Sequence, residues 1–224
     1  KQTAMKAMKH LYETPPPITG LYPVFLDPET GAFASSQITV GGLADSFYEY
    51  LLKIYILNGK QEQYLRDMYE ASVKGMKKHL LKYSKPSNLA FLAEYNTNTK
   101  TTHNRFEHLA CFVPGMLALG YIHLPDKVDR EDDLKLAKEL TETCVHLYTS
   151  SPSGIAADSV VFNTDNDGSS SDYTIDDGKY LLRPETIESL FYLYRVTGDE
   201  KYQNMGWEIF TVCSVFFETR FCVF

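Results

Sequence analysis

The residues best suited to chemistry lie at the start of one amphipathic helix, within residues 181–199. Glu185 and Glu188 are three residues apart, so both carboxylates project from one side of the N-terminal end of that helix. Pro184 favours the first turn, and the predicted buried face follows at three- and four-residue spacing: Ile187, Leu190, Phe191 and Tyr194. The two carboxylates could share a reaction site, or they could only complement the helix dipole, as many such pairs do.

Composition limits the class of protein that could carry this helix. The chain has 224 residues, 44% of them hydrophobic and 23% charged, which is ordinary for a globular domain with one substantial core. A net charge of -7 without a basic block argues against a nucleic-acid partner. No apolar run approaches the roughly 18 residues of a membrane span, so any anchor or signal is expected upstream of Lys1.

Hydrophobic periodicity predicts an all-α chain of helical hairpins that would position the carboxylates. Five predicted helices cover residues 42–57, 61–81, 105–119, 132–148 and 184–196, and a sixth follows Gly198. Residues 58–60 form a turn between the first two helices, and Pro114 should kink or split the third. Short strands are expected at residues 91–95 and 160–162, and residues 20–39 form short strands or a long loop.

The apolar positions of these helices predict which faces are buried. The expected stripe on the first helix is Phe47, Tyr50, Leu51, Ile54 and Leu57. On the second helix it is Leu65, Met68, Tyr69, Val73, Met76 and Leu80. On the fourth helix it is Leu134, Ala137, Leu140 and Cys144. On the sixth helix it is Tyr202, Met205, Ile209 and Val212.

Residues 163–174 partly match a calcium-binding EF-hand loop. Asn163, Asp165 and Asp167 occupy its first, third and fifth positions, and Gly168 occupies the sixth. The twelfth position is Thr174 instead of a bidentate glutamate, and the flanking residues do not predict two amphipathic helices. We therefore interpret the segment as a solvated acidic loop.

The chain contains four cysteines: Cys111, Cys144, Cys213 and Cys222. No pair has the close spacing of a zinc site. Composition alone is compatible with four reduced, half-buried thiols in a cytosolic protein.

Three blocks of sequence carry a resemblance to a known family. Residues 183–189, Arg-Pro-Glu-Thr-Ile-Glu-Ser, resemble the Arg-Pro-Glu-Thr-Val-Glu-Ser signature of glycoside hydrolase family 47, the class I α-1,2-mannosidases. Residues 45–53 resemble its Asp-Ser-Tyr/Phe-Tyr-Glu-Tyr-Leu-Leu-Lys block, and residues 107–112 resemble its Asp-His-Leu-x-Cys-Phe block. The resemblance implies that residues 1–210 are part of an (α/α)7 barrel catalytic domain, followed by a divergent apolar tail at 211–224.

The resemblance also implies a reaction and a role for each matching residue. The family removes α-1,2-linked mannose from high-mannose N-glycans with inversion. Such a reaction needs one carboxyl to protonate the leaving oxygen and another to activate water, roughly 6.5–9.5 Å apart. Glu185 matches the base, and Asp45 matches an aspartate of the acid network. Asp158 takes the place of a family glutamate. Four residues match substrate-binding or site-organising positions: Arg183, Glu188, His108 and Leu43.

Three of these roles have a structural alternative. Asp45 could be a helix-capping acid, His108 a buried structural histidine, and Asp158 a plain loop aspartate with one methylene fewer than the family glutamate. A guanidinium at position 43 would match the endoplasmic-reticulum enzymes, whereas Leu43 matches Golgi-type members. Residues 60–63 and the signature helix resemble the endoplasmic-reticulum type, so the subtype signals conflict.

The family further implies a disulfide, a metal and a cellular compartment. Cys111 and Cys144 match its disulfide pair, which would place the chain in the oxidising lumen of the endoplasmic reticulum or Golgi. The family binds Ca²⁺ through a threonine that has no match in this chain, and its glutamate acid is expected upstream of Lys1. Two other hypotheses are a non-catalytic mannose-glycan-binding protein of glycoprotein quality control and a helical scaffold without a sugar site.

Overall fold

A computed structural model describes residues 2–165, 168 and 170–221, with side chains as far as residue 215. The chain forms two compact units. The first unit comprises residues up to 82 and 91–106, and the second comprises residues 83–90 and those from 107 onwards. Strands β2 (Leu81–Tyr83), β3 (Ala90–Leu92) and β6 (Arg105–Glu107) each contain one of the boundaries.

The first unit is built on three helices and a small sheet. Helix α3 (Gln63–Gly75) packs against both α1 (Gln2–Glu13) and α2 (Asp45–Leu57), and a π-helical turn, Met76–Leu80, extends it. Three antiparallel strands pair in the order β1 (Gln37–Ile38), β4 (Glu94–Asn96) and β5 (Thr101–His103). The predicted turn at 58–60 is confirmed, with Gly59 and Lys60 both at positive φ.

The predicted buried stripe of α2 is wrong at most of its positions. Tyr50 and Leu57 are 47% and 78% exposed, whereas the buried positions of the helix are Tyr48, Leu51, Leu52 and Tyr55. Apolar and aromatic residues occupy nearly all sides of α2, so its periodicity favours no single face. On the buried face, the Tyr48 hydroxyl accepts a hydrogen bond from the Tyr22 backbone N–H at 2.9 Å. In α3 and the π-helical turn, by contrast, all six predicted positions are buried.

The second unit consists of helices α4 (Val113–His123), α5 (Arg130–Thr149), α6 (Glu185–Thr197) and α7 (Lys201–Phe221), with an antiparallel hairpin of β7 (Ser159–Phe162) and β8 (Tyr173–Asp177). The predicted helix at 105–119 is divided into β6, a 3-10 helix at His108–Phe112, and α4. Proline has no N–H to donate and is tolerated in a first turn, so α4 begins beside Pro114.

Helix α6 is where predicted, but it buries a different face. Ile187 is 39% exposed and Phe191 is 58% exposed, and of the predicted stripe only Leu190 is buried. The buried positions are Thr186, Ser189, Leu190 and Leu193. The Ser189 hydroxyl donates to the Cys111 carbonyl at 2.5 Å and accepts from the Gly115 N–H at 2.9 Å. These bonds turn the small polar side of α6 toward α4 and the 3-10 helix.

In helices α5 and α7 the buried positions agree better with those predicted from the sequence. The four predicted inward positions of α5 are all buried. In α7, Tyr202 and Ile209 are buried, and Met205 and Val212 are half-buried. Within the part of the chain that the structure describes, no helix combines the length and hydropathy that crossing a bilayer requires.

The partial EF-hand match lies in the β7–β8 hairpin. The residues before and after it are strands, where an EF-hand would have helices. The Asn163 side chain accepts a hydrogen bond from the Asp165 N–H at 3.0 Å, which is a local turn contact. Asp167 lies outside the described residues.

The predicted disulfide is confirmed. Cys111 and Cys144 are bonded, with their Cα atoms 6.0 Å apart, and the bond links the 3-10 helix to α5 across 33 residues. Closing a loop of that length stabilises the fold by roughly 3–4 kcal/mol in the loop-entropy model. Cys213 is a free thiol, and Cys222 lies outside the described residues.

Candidate active site

Glu185 is the first residue of α6, directly after Pro184. The first turn is closed by a hydrogen bond from the Glu188 N–H to the Pro184 carbonyl at 2.8 Å. The Glu185 side chain is only 18% exposed, and its Oε2 atom is buried without a hydrogen-bond partner among the described residues. A carboxylate oxygen held in this way is available to accept a proton or a hydrogen bond from a bound molecule.

His108 faces this oxygen from the start of the 3-10 helix. The backbone N–H of His108 donates to the Asp158 backbone carbonyl at 2.9 Å, and the His108 side chain is 2% exposed. The ring atom Nδ1 lies 3.7 Å from Glu185 Oε2 and is likewise buried without a hydrogen-bond partner in the described ranges. Two buried polar atoms therefore face each other across a gap longer than a hydrogen bond.

The opposite ring nitrogen of His108 contacts two hydroxyl groups. Nε2 lies 2.8 Å from the Tyr148 hydroxyl and 3.2 Å from the Thr186 hydroxyl. Burial raises the pKa of Tyr148 to about 12, so its hydroxyl keeps its proton at neutral pH. Tyr180 packs edge-on against Tyr148 with ring centroids 6.2 Å apart, and the Tyr180 hydroxyl lies 3.3 Å from Cys213 Sγ.

Arg183 and Asp158 form an ion pair in the same unit. The guanidinium donates from Nε to Asp158 Oδ1 at 2.5 Å and from its terminal nitrogen to Oδ2 at 3.4 Å. This hydrogen bonding raises the pKa of Arg183 further above its ordinary value, and the charges of Asp158, Glu185 and Glu107 add to the effect. The shorter aspartate side chain at position 158 therefore still holds the arginine.

Five of the seven predicted site residues lie in the second unit, and four of them are linked by the contacts described above: Glu185, His108, Arg183 and Asp158. Glu188 is half-buried on the same helix as Glu185. Asp45 and Leu43 belong to the first unit. Asp45 begins α2 and its carboxylate accepts the Ser46 N–H at 2.9 Å, while Leu43 is 73% exposed at a φ of 73°. Their participation in one site with Glu185 stays a prediction.

Sequence reasoning missed Tyr148 and Thr186. Thr186 lies inside the signature block, so its position was visible although its contact was not. Tyr148 is 40 residues from His108 and belongs to no block that the sequence analysis identified. The only signal was its place one turn beyond Cys144, the predicted partner of Cys111.

A cavity of about 1020 Å³ opens in the second unit between the end of α5 and the β7–β8 hairpin. Its lining includes Ala157 and Tyr180, which neighbour Asp158 and Tyr148, but it does not include Glu185, His108, Arg183 or Asp158 themselves. The cavity therefore lies beside the group of candidate catalytic side chains.

The calcium ion implied by the family resemblance stays a prediction. Among residues 2–165, 168 and 170–221, no three His, Cys, Asp or Glu side chains form a group that could hold a metal ion.

Comparison with known proteins decides the family. The sequence profile of glycosyl hydrolase family 47 matches residues 1–221. The chain belongs to this family. The match passes residue 210 and includes most of the segment that the sequence analysis separated as a tail, and that domain division stays a prediction.

Named family 47 relatives are mannosidases. Mannosyl-oligosaccharide 1,2-alpha-mannosidase from Candida albicans is 44% identical over 221 residues, which cover 92% of this chain and 39% of that enzyme. Endoplasmic reticulum mannosyl-oligosaccharide 1,2-alpha-mannosidase from Homo sapiens is 42% identical over 217 residues, which cover 93% of this chain and 30% of that enzyme. The chain thus spans 39% and 30% of the length of these two relatives.

A solved family member shares the fold. The alpha-1,2-mannosidase from Trichoderma reesei matches with a TM-score of 0.85 and 30% identity, over 94% of this chain and 46% of that enzyme. This match confirms the predicted fold class, the all-α helical hairpins of an (α/α)7 barrel with short strands. A family 76 glycoside hydrolase from Bacteroides thetaiotaomicron, at a TM-score of 0.54 and 12% identity, shares the fold alone.

Proposed function

We propose that this family 47 chain supplies the catalytic base for inverting hydrolysis of terminal α-1,2-linked mannose. The observation that carries the proposal is the state of Glu185. Its Oε2 atom is buried, has no hydrogen-bond partner in the described part of the chain, and faces His108 Nδ1 at 3.7 Å. A base that activates water needs such an unoccupied acceptor oxygen, because an oxygen already bonded to the protein is less able to take a proton.

In this proposal Glu185 removes a proton from a water molecule as that water attacks the anomeric carbon. A second carboxyl group protonates the leaving glycosidic oxygen on the opposite face of the sugar, so the configuration inverts. Asp45 is proposed to belong to this acid network. Asp158 is also proposed as a catalytic-site carboxylate, and its ion pair with Arg183 supports a place beside Glu185.

The remaining site residues are proposed to bind sugar hydroxyl groups. Arg183 keeps donor groups beyond those directed at Asp158, and a guanidinium can bind two neighbouring oxygens at once. His108 Nδ1 lacks a partner among the described residues, so it can contact a ligand hydroxyl or the attacking water. Glu188 projects from the same helix end as Glu185, and its partial burial is compatible with a sugar contact.

The named relatives support a substrate class and a compartment for this proposal. Mannosyl-oligosaccharide mannosidases at 44% and 42% identity support high-mannose N-glycans on glycoproteins as the substrate. The Cys111–Cys144 disulfide and the endoplasmic-reticulum name of the human relative support the lumen of the secretory pathway, with the endoplasmic reticulum and the Golgi both retained. We propose that Ca²⁺ binds only to the complete barrel of the family.

The test is a chimera in which residues 1–221 replace the aligned segment of the Candida albicans enzyme, 44% identical over this region. We expect it to release free mannose from an α-1,2-linked mannose disaccharide, with β-mannose as the first product seen by proton NMR. Release of α-mannose first would contradict inversion. Glycan binding without any release would favour the alternative, a mannose-glycan-binding protein of quality control.

The exposed Leu43 yields a prediction on branch preference. Leu43→Arg in the chimera should give about a tenfold preference for one mannose branch, since a guanidinium hydrogen-bonds several hydroxyls and leucine offers only contact area. Both residues meet the positive φ at position 43 with a Cβ atom, so the substitution adds no new backbone strain. The product profile from a nine-mannose glycan measures the effect.

Leu57→Arg is the matched control, because Leu57 is 78% exposed on the same unit. Equal product profiles for Leu43→Arg and the parent chimera would remove Leu43 from the specificity argument.

A further inference from the structure

Tyr148 contacts His108, which in turn faces Glu185. It is nearly at the C-terminal end of α5, and its ring meets the His108 ring edge-on with centroids 5.5 Å apart. The Cys111–Cys144 disulfide joins the two elements that carry these rings. Cys111 is three residues after His108, and Cys144 is four residues before Tyr148. The cross-link therefore holds the two rings in one arrangement.

The contacts around His108 favour one position for the proton of its neutral ring. A carboxylate oxygen can only accept a hydrogen bond, so the nitrogen that faces Glu185 Oε2, Nδ1, is favoured to bear hydrogen. In the neutral ring Nε2 is then an acceptor. The two groups near Nε2 are both hydroxyls, which can donate: Tyr148 at 2.8 Å and Thr186 at 3.2 Å. The shorter contact makes Tyr148 the main donor.

We propose that Tyr148, assisted by Thr186, is a positioning residue that fixes the Nδ1-protonated tautomer of His108 and thereby keeps Glu185 in its proton-accepting state. An N–H directed at a carboxylate favours the ionised form of that carboxylate. Without the two hydroxyls, His108 is free to carry its proton on Nε2. Its Nδ1 lone pair would then face Glu185 and favour the protonated carboxyl, which cannot act as a base. This role rests on the proposed function of Glu185.

Other charged and titratable groups also surround Glu185 and enter its proton balance. They are Arg183 and Asp158 from the flanking loops, Glu107 beside Arg183, and Glu188 on the same helix. Arg183 and Asp158 are paired with each other, whereas the groups at His108 Nε2 are the hydroxyls of Tyr148 and Thr186. Removing the two hydroxyls therefore changes the histidine tautomer while leaving the ion pair of Arg183 in place.

The first measurement does not depend on activity. The chimera carrying ¹⁵N-labelled histidine is compared by NMR in its parent form and as Tyr148→Phe, Thr186→Val and the double variant, with His108→Gln to assign the signal. We expect the parent His108 to carry its proton on Nδ1 and the double variant to shift toward the Nε2-protonated form. A parent His108 that is protonated on Nε2 would overturn the proposal.

The second measurement uses the pH dependence of kcat/KM in the chimera. The double variant should move the acidic limb upward, because only the ionised Glu185 carboxylate can act as a base. Each single variant should move it less, since the other hydroxyl remains. Tyr55→Phe is the control, a buried tyrosine of α2 for which no hydrogen bond is seen among the described residues.

The outcomes separate this inference from the proposed function. An active chimera whose acidic limb is the same in the parent and the double variant would refute the role of Tyr148 and leave the hydrolase proposal intact. An inactive chimera would contradict the hydrolase proposal, and the NMR tautomer would still decide whether Tyr148 controls His108.

Discussion

Glu185→Gln in the chimera is expected to lower kcat by about 10²–10⁴-fold, the range that general acid–base catalysis contributes. Glutamine keeps the volume of the side chain and one acceptor oxygen, but its amide cannot take a proton from water. KM should change much less, because the surrounding His108, Thr186 and Arg183 remain in place. Initial rates of mannose release over a range of substrate concentrations separate the two constants.

Glu208→Gln is the matched control for this prediction. Glu208 is an exposed residue of α7, so the same change of charge there should leave kcat unaltered. If Glu185→Gln retained parental kcat, Glu185 would not be the base. Its position at the start of α6 would then be explained by the helix dipole alone.

The path of the chain was largely predictable, whereas the faces that the helices bury were predictable only in part. The helices around residues 61–81, 132–148 and 184–196 all exist, because three- and four-residue spacing of apolar side chains is a local property of the sequence. In α6, however, hydrogen bonds of Ser189 to Cys111 and Gly115 accompany burial of the small polar side. No count of apolar residues contains that information.

The candidate site shows the same division between local and distant information. Glu185, Arg183 and Thr186 belong to one contiguous block, so a sequence motif was enough to single out two of them. The contact between Tyr148 and His108 depends on how α5 docks beside the 3-10 helix, which is a property of tertiary packing. The sequence predicted the disulfide that holds this docking in place, but only through the family resemblance.

The second large effect is expected when residues 1–224 are assayed alone. We predict that this polypeptide releases no more mannose than its own Glu185→Gln variant, even with added Ca²⁺. Glu185 can activate water productively only if an acid protonates the leaving oxygen, and the family resemblance assigned no residue of this chain to the family's glutamate acid or its Ca²⁺-binding threonine. The described residues also hold no group of three or more His, Cys, Asp or Glu suited to a metal ion. Discontinuous assay for free mannose, with the chimera as the positive control, gives the comparison.

The same polypeptide should also self-associate, because α6 and α7 expose large apolar side chains. Phe191, Trp207 and Phe210 are 58%, 68% and 57% exposed, and Ile187 is 39% exposed. Phe216, Phe217, Phe221 and Phe224 were predicted to add to this surface, but their side chains lie outside the described residues. Sedimentation velocity of the parent chain and of Ile187→Ser/Phe191→Ser measures the effect, with less association expected for the variant.

Mannose release and self-association, measured on the same polypeptide, show whether a lack of activity comes from absent catalytic groups or from association. Residues 1–224 would suffice for catalysis if they released mannose rapidly, required Ca²⁺ and lost the activity in Glu185→Gln. The acid would then have to be one of their own carboxylates, and Asp45 and Asp158 would be the first to test. A monodisperse, inactive chain would separate the two effects: the missing activity would then follow from the absent catalytic groups, since every molecule in solution would be free to bind substrate. An inactive chain that associates through Ile187 and Phe191 and stays inactive when the double serine variant keeps it monomeric leads to the same conclusion.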